Sequence, residues 1–259
     1  RCDVAPLVPL EFWLRARREV ETVRPDCLWL AESVEPEFIR DNRNRGMVSH
    51  SDSELYQAFD LCYDYDIYGD FLSYVQGKTE LTDYVMALER QESIYPADYA
   101  KLRFLENHDR PRMAHLFPDR RTRLNWLCWM FFQKGTALLY SGQEWENDHR
   151  PDLFDADPIP MEGTAPLEGL IRRLTALKKE PIFAQGAYSL QACPNDVLLA
   201  VWKEEGRRLT GAFCLRGAPS LVSVELPDGR YENLLEPGKT LRVESGLLAL
   251  DGNPAVLEG

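Results

Sequence analysis

The chain has 259 residues and lacks most of the features that disclose a function at first reading. None of its six cysteines (Cys2, Cys27, Cys62, Cys128, Cys193, Cys214) belongs to a CxxC pair, which argues against a zinc site. No GxGxxG or GxxxxGK occurs, so a dinucleotide fold or a P-loop is not expected. The longest apolar stretch, residues 124–132, is broken by Asn125 and falls well short of the ~20 residues that cross a bilayer. No lipid-anchor motif closes the chain, and no membrane partner is expected. No repeat of fixed period appears. Positive charge is scarce: 30 Lys and Arg face 42 Asp and Glu, for a net charge of -12. Such a chain repels phosphate backbones, which excludes nucleic acid as the main partner. The sequence opens on Arg1, and its first residues do not have the pattern expected of a signal peptide. Cys27, Cys128 and Cys214 lie inside apolar runs and read as buried free thiols, from which a cytoplasmic location is expected.

What is present is ordinary globular material, 44% hydrophobic and 28% charged. Up to residue 186, short apolar runs alternate with longer helical patterns. Strands are expected near Arg1, Cys27, Cys62, Leu102 and Thr136, and helices over 9–23, 71–91, 122–134 and 167–179. Strand and helix in alternation predict a parallel sheet. From residue 187 onward the pattern changes. Two apolar runs, 197–202 and 209–215, flank the turn-like Lys203-Glu204-Glu205-Gly206, and more short strands follow to the end. The reading is α/β: part of a barrel over 1–186, then an all-β domain, expected as an antiparallel sandwich, over 187–259.

The ends of the expected strands share a chemistry. Asp3 closes the first, Glu32 the second, Asn107-His108-Asp109 the fourth and Gly142-Gln143-Glu144 the fifth. In a β/α barrel those ends converge on one face, which carries the active site. Two carboxylates flanking one bond are what glycoside hydrolysis requires. Arg1 stands two residues before Asp3, so on a strand both side chains share a face and the guanidinium can hold Asp3 ionised, as a nucleophile needs. Glu32 follows a run of apolar residues, a setting suited to a proton donor. His108 beside Asp109 offers donor and acceptor together for sugar hydroxyls. Taken singly, each of these residues also reads as a helix cap or a solvated turn.

Together these motifs resemble the α-amylase superfamily of retaining α-glycoside hydrolases, glycoside hydrolase family 13. Arg1-Cys2-Asp3-Val4-Ala5 is similar to its R-x-D-x-A strand, Leu30-Ala31-Glu32 to its acid/base strand, Phe104-Leu105-Glu106-Asn107-His108-Asp109 to its N-H-D motif, and Leu138 to Glu144 to its last-strand Y-x-G-Q-E motif. The order agrees, with 29 residues from Asp3 to Glu32 and 77 from Glu32 to Asp109. The resemblance implies a retaining enzyme on α-linked glucans or malto-oligosaccharides. Asp3 would be the nucleophile, Glu32 the acid/base and Asp109 the third carboxylate, with Arg1, His108 and Arg112 binding substrate. It implies no cofactor, with calcium as a ligand of the longer enzyme.

Two departures qualify this. Pro6 and Leu7 stand where many starch-cleaving members carry Lys-His, so the leaving-group subsites differ. The motifs also begin at about the fourth of eight (β/α)8 barrel strands and run to the eighth. The chain is therefore expected to be the C-terminal portion of a longer enzyme, or to draw the N-terminal half of the barrel from another chain, or to form an open sheet. Alternative functions are a transglycosylase of the family, an incompetent scaffold or binding homologue, and an unrelated α/β binding protein.

Overall fold

The computed structural model describes residues 1–259, which form two compact units, Arg1–Arg103 and Phe104–Gly259. In the first unit, β1 (Leu30–Ala31), β2 (Leu61–Tyr63) and β3 (Ala100–Arg103) are parallel and neighbour one another in sequence order. Cys2 adds a single parallel bridge to Ala31. Unreversed order is that of a barrel wall; a doubly wound sheet would reverse at a switch point. The crossovers carry α1 (Leu10–Glu21), α2 (Pro36–Asn44), α3 (Asp52–Leu55), α4 (Tyr68–Val75) and α5 (Leu81–Ile94).

Local chemistry sets these boundaries. Pro36 opens α2, where its missing N–H costs nothing. Ser51 and Glu54 cap the start of α3 reciprocally. The single helix expected over 71–91 is two helices. Gly77 turns left-handed at φ +70° after α4, and Glu80 with Asp83 restarts the chain as α5. The strand expected near Arg1 shrinks to the Cys2 bridge, because Val4 is left-handed and Ala5–Leu7 winds into a 3-10 turn. The run at Cys27 is strand only at Leu30–Ala31, and Leu28 points largely to solvent.

Register explains which strand residues meet the helices. Ala31, Cys62 and Lys101 share one row, with Cys2 bridged to Ala31. Ala31 and Cys62 pack into a cluster with Trp13, Leu55, Ala58 and Phe59. The residues one position earlier or later, Leu30, Glu32, Leu61, Tyr63 and Leu102, alternate to the opposite face. Lys101 lies on the helix side although it is charged. It is fully buried, and its ammonium meets Asp52 and, at 2.8 Å, Asp66. Arg103 is paired with Asp64 at 2.8 Å and with the Gln91 amide oxygen at 2.8 Å.

The second unit contains α6 (Met113–Leu116), α7 (Arg120–Phe132), β4 (Thr136–Ala137), α8 (Glu168–Lys178) and α9 (Ile182–Gln185). Eight strands follow: β5 (Ala187–Cys193), β6 (Val197–Glu204), β7 (Arg207–Cys214), β8 (Ser220–Ser223), β9 (Gly229–Glu232), β10 (Thr240–Glu244), β11 (Leu247–Leu250) and β12 (Ala255–Glu258). They form two antiparallel sheets, ordered β12-β7-β6-β5 and β8-β11-β10-β9. Val197, Leu199, Ala212 and Cys214 of the first sheet pack on Val222, Val243, Leu248 and Leu250 of the second. The first sheet's other face meets helices: Phe213 packs on Trp129 and Phe132, and Trp202 on Phe183. It is thus a middle layer, which is why residues 197–200 are all buried and do not alternate. Gly211 is required there, since a Cβ would lie 2.7 Å from the Phe213 ring and 3.0 Å from that of Phe132.

Polar bonds join α7 to this layer. Asn125, itself buried, donates to the carbonyls of Arg121 and Gly252 and accepts from the Cys214 amide. The indoles of Trp126 and Trp202 donate to the carbonyls of Leu215 and Phe132. The compact unit therefore begins at Phe104, earlier than the change of sequence character at residue 187. No helix is long and apolar enough to cross a membrane. All six cysteines are free thiols.

Candidate active site

The first unit brings Arg1, Asp3 and Glu32 together. Arg1 Nη1 lies 3.0 Å from Asp3 Oδ1, and Arg1 Nη2 is paired with Glu32 Oε1. One guanidinium thus grips both carboxylates, one on each of its terminal nitrogens. The backbone helps: the left-handed turn at Val4 aims its amide at Glu32 Oε2, 2.9 Å away. The peptide ladder runs along both sides of the bridge: the Cys2 amide donates to the Leu30 carbonyl at 2.8 Å, the Glu32 amide to the Cys2 carbonyl at 3.0 Å, and the Ala5 amide to the Glu32 carbonyl at 3.1 Å. Asp3 is exposed, with three-quarters of its side chain open to solvent, whereas Glu32 is 6% exposed. Partial burial works against the Arg1 charge. The Tyr63 hydroxyl, Glu32 and Asp3 outweigh it, so its pKa stands above the ordinary arginine value. Tyr63 is a partner that sequence reading missed. Only its place one position past the Ala31–Cys62 row, level with Glu32, marks it. Tyr65 stacks on it at 5.7 Å. Trp29 packs edge-on against Phe59 in the helix-side cluster.

The second unit holds His108, Asp109 and Arg112. His108 Nε2 lies 3.3 Å from Asp109 Oδ2, and both side chains are partly exposed. The loop turns through Asn107, whose side-chain oxygen accepts the Asp109 amide at 2.9 Å. Arg112 is placed differently from a ligand-gripping residue. It is 1% exposed, paired with Glu106 at 2.8 Å, donates to the Ser141 carbonyl at 2.9 Å and lies over the Tyr140 ring. Arg150 donates to the Asp109 carbonyl at 3.1 Å, a contact without any sequence motif to announce it. The loop bearing Arg150 is closed by His149 on Asp157 at 2.8 Å and presents Phe154 almost wholly to solvent. Neither unit taken alone gathers three His, Cys or carboxylate ligand atoms at metal-binding spacing.

Parallel strands in sequence order with carboxylates at their ends, followed along the chain by an all-β domain, are the elements of part of a (β/α)8 barrel and a C-terminal β-domain. The profile of the alpha amylase catalytic domain matches residues 8–176, and that of the bacterial alpha amylase C-terminal domain matches residues 189–257. The chain belongs to the alpha-amylase family. It is 41% identical to an alpha-amylase from Lactobacillus plantarum, with a TM-score of 0.96, covering 100% of this chain and 62% of that one. A noncanonic maltogenic alpha-amylase from Thermotoga neapolitana is 28% identical, with a TM-score of 0.82, over 100% of this chain and 60% of that one. An alpha-amylase from Geobacillus thermoleovorans, solved with acarbose, shares the fold at 21% identity and a TM-score of 0.71, over 97% of this chain and 57% of that one. No curated protein matches the sequence. The chain spans about three-fifths of the length of these structures.

Proposed function

We propose that the protein acts as a retaining α-glycoside hydrolase on α-linked glucans or malto-oligosaccharides. The observation that carries this is the shared guanidinium: Arg1 draws Asp3 and Glu32, from two separate motifs, onto one group. A retaining enzyme needs its two carboxyls about 5–5.5 Å apart, on either side of the scissile bond. Asp3, exposed and paired with Arg1 at 3.0 Å, attacks the anomeric carbon. Glu32 delivers its proton to the leaving oxygen, so the alcohol departs neutral and a glycosyl ester forms on Asp3. Water, deprotonated by Glu32, then cleaves the ester and restores both groups. For the first step Glu32 must carry a proton, so its contact with Arg1 has to give way as sugar enters. Asp109 and His108 hold sugar hydroxyls and favour the oxocarbenium-like transition state.

Trapping the intact enzyme with a 5-fluoroglycosyl fluoride tests this. Mass spectrometry of the digested protein should place the label on the peptide bearing Asp3, and Asp3→Asn should abolish it. Label on another residue, or release of the inverted anomer, would overturn the reading. The 259 residues alone match about three-fifths of the relatives, and a barrel wall needs eight strands. They are expected to give no turnover of maltotriose or a nitrophenyl α-glucoside.

A further inference from the structure

We infer that Glu106 and Arg112 form a clasp that positions His108 and Asp109, closing the loop 107–111 on itself and fastening it to the turn at Ser141 and Gly142. The inference rests on the reading of His108 and Asp109 as sugar-binding residues. Both members of the clasp are 1% exposed. Glu106 Oε1 accepts Arg112 Nη1 at 2.8 Å, and Oε2 accepts the Met113 amide. The two oxygens of the residue that enters the loop are thus both used by the residues that leave it. Inside this ring Asn107 folds the chain, accepting the amides of Asp109 on its side chain at 2.9 Å and of Arg110 on its carbonyl at 3.2 Å. The other end of the Arg112 guanidinium reaches the Ser141 carbonyl at 2.9 Å. It passes Gly142, where φ is +86° and a Cβ would lie 2.7 Å from Arg112 Nη2. That glycine is fixed by its backbone angle and by the arginine it lets through.

The groups facing Glu106 are Arg112 and Glu144, the latter with Oε2 buried and without a donor. Burial pushes the Glu106 carboxyl up to about 7. The Met113 amide and Arg112 pull against burial, and Glu144 adds to it. An ionised carboxylate accepts two donors through two oxygens; a protonated one turns an O–H toward one of them. Uptake of one proton near neutrality therefore opens one side of the clasp. His108, 3.3 Å from Asp109, is a second titratable group on the loop. The diagnostic readout is for that reason the Met113 amide, which Glu106 alone holds.

The experiment follows hydrogen exchange of the Met113 amide and maltotriose affinity in the intact enzyme between pH 8 and 5.5. In the wild type, Met113 protection, corrected for intrinsic exchange, should fall through neutrality while Leu199 and Ala212 keep theirs. Affinity should weaken with it by about three- to tenfold, the loss of one hydrogen bond. In Glu106→Gln both should be low and insensitive to pH over that range. Should this variant not fold, the wild-type profile still decides. Met113 protection flat with pH, or affinity changing while Met113 stays protected, overturns the clasp. No maltotriose binding at any pH, with Met113 still titrating, would instead sink the sugar-site reading and leave the loop device standing.

Discussion

Strands β3 and β6 are each buried on both faces, and their chemistries are opposite. β3 reads Ala-Lys-Leu-Arg, with Lys101 and Arg103 2% exposed or less. β6 opens Val-Leu-Leu-Ala, without a charge among its buried positions. Burial of both faces thus does not by itself demand an apolar strand. It demands that every charge be met. Lys101 is shared by Asp52 and Asp66, with the Tyr95 ring 4.4 Å from its ammonium, and Arg103 by Asp64 and Gln91. The Gln91 amide in turn donates to Asp64 at 2.9 Å and to Asp66. Such a network fixes partners in a way that apolar contact does not. Its net contribution to stability is small, and its sensitivity to losing one member is large.

Removing one member of the network is the strongest way to break this comparison. Lys101→Met should cost about 3–5 kcal/mol in denaturant unfolding, because Asp52 and Asp66 are left buried and uncompensated. Adding Asp52→Asn and Asp66→Asn to that variant should recover much of the loss; a further drop would show that the strand is held by shape and not by pairing. On the apolar side, Gly211→Ala should cost about 1–3 kcal/mol by forcing the Phe213 and Phe132 rings apart, read as a fall in melting temperature.

The charged strand should also respond to pH. Burial raises Asp52 from 3.8 to about 6, with Lys101 opposing and Asp66 reinforcing the rise. A folded state that holds its proton more tightly than the unfolded chain is favoured at low pH. This contribution is full below 3.8 and is lost as pH rises through about 6. Unfolding free energies at pH 4, 5 and 7 should fall in the wild type more steeply than in Asp52→Asn; parallel slopes would place the titration elsewhere. The smallest effect is expected at the surface. Arg172→Ala removes an exposed pair with Glu168 and should change stability by no more than about 0.5 kcal/mol, within the error of a thermal melt.

The sequence carried the class and the order of elements, because strand-end carboxylates and the change of pattern at residue 187 are local signals. Arg1 lies 3.0 Å from Asp3, but through the turn at Asp3 and Val4 and not through the strand that period-two spacing predicts. The bridge from Arg1 to Glu32 was not legible, since it depends on the parallel register of Cys2 with Ala31. The inward pairing of Arg112 was not legible for a related reason. An arginine three residues past Asp109 looks like a ligand contact, but the loop turns its guanidinium inward onto Glu106. Glu106 itself, read only as part of a motif, is one of the most buried acids in its unit. Lys101 and Arg103 gave no hint of burial, because their partners lie up to 49 residues away. The split at Gly77 was legible in principle, as a glycine followed by a Glu-x-x-Asp start.

The placing of α7 also bears on how the chain is made. Trp126, Trp129 and Phe132 are covered in part by residues of β6, β7 and the segment after them. A ribosome delivers these only after another 65 or more residues have followed Phe132. Until then three large aromatic rings and the Asn125 amide have no sheet to meet. A nascent chain paused or cut in that interval would present a sticky helix to every neighbour. Strands β6 and β7, with the segment that follows them, end this exposure by covering the helix.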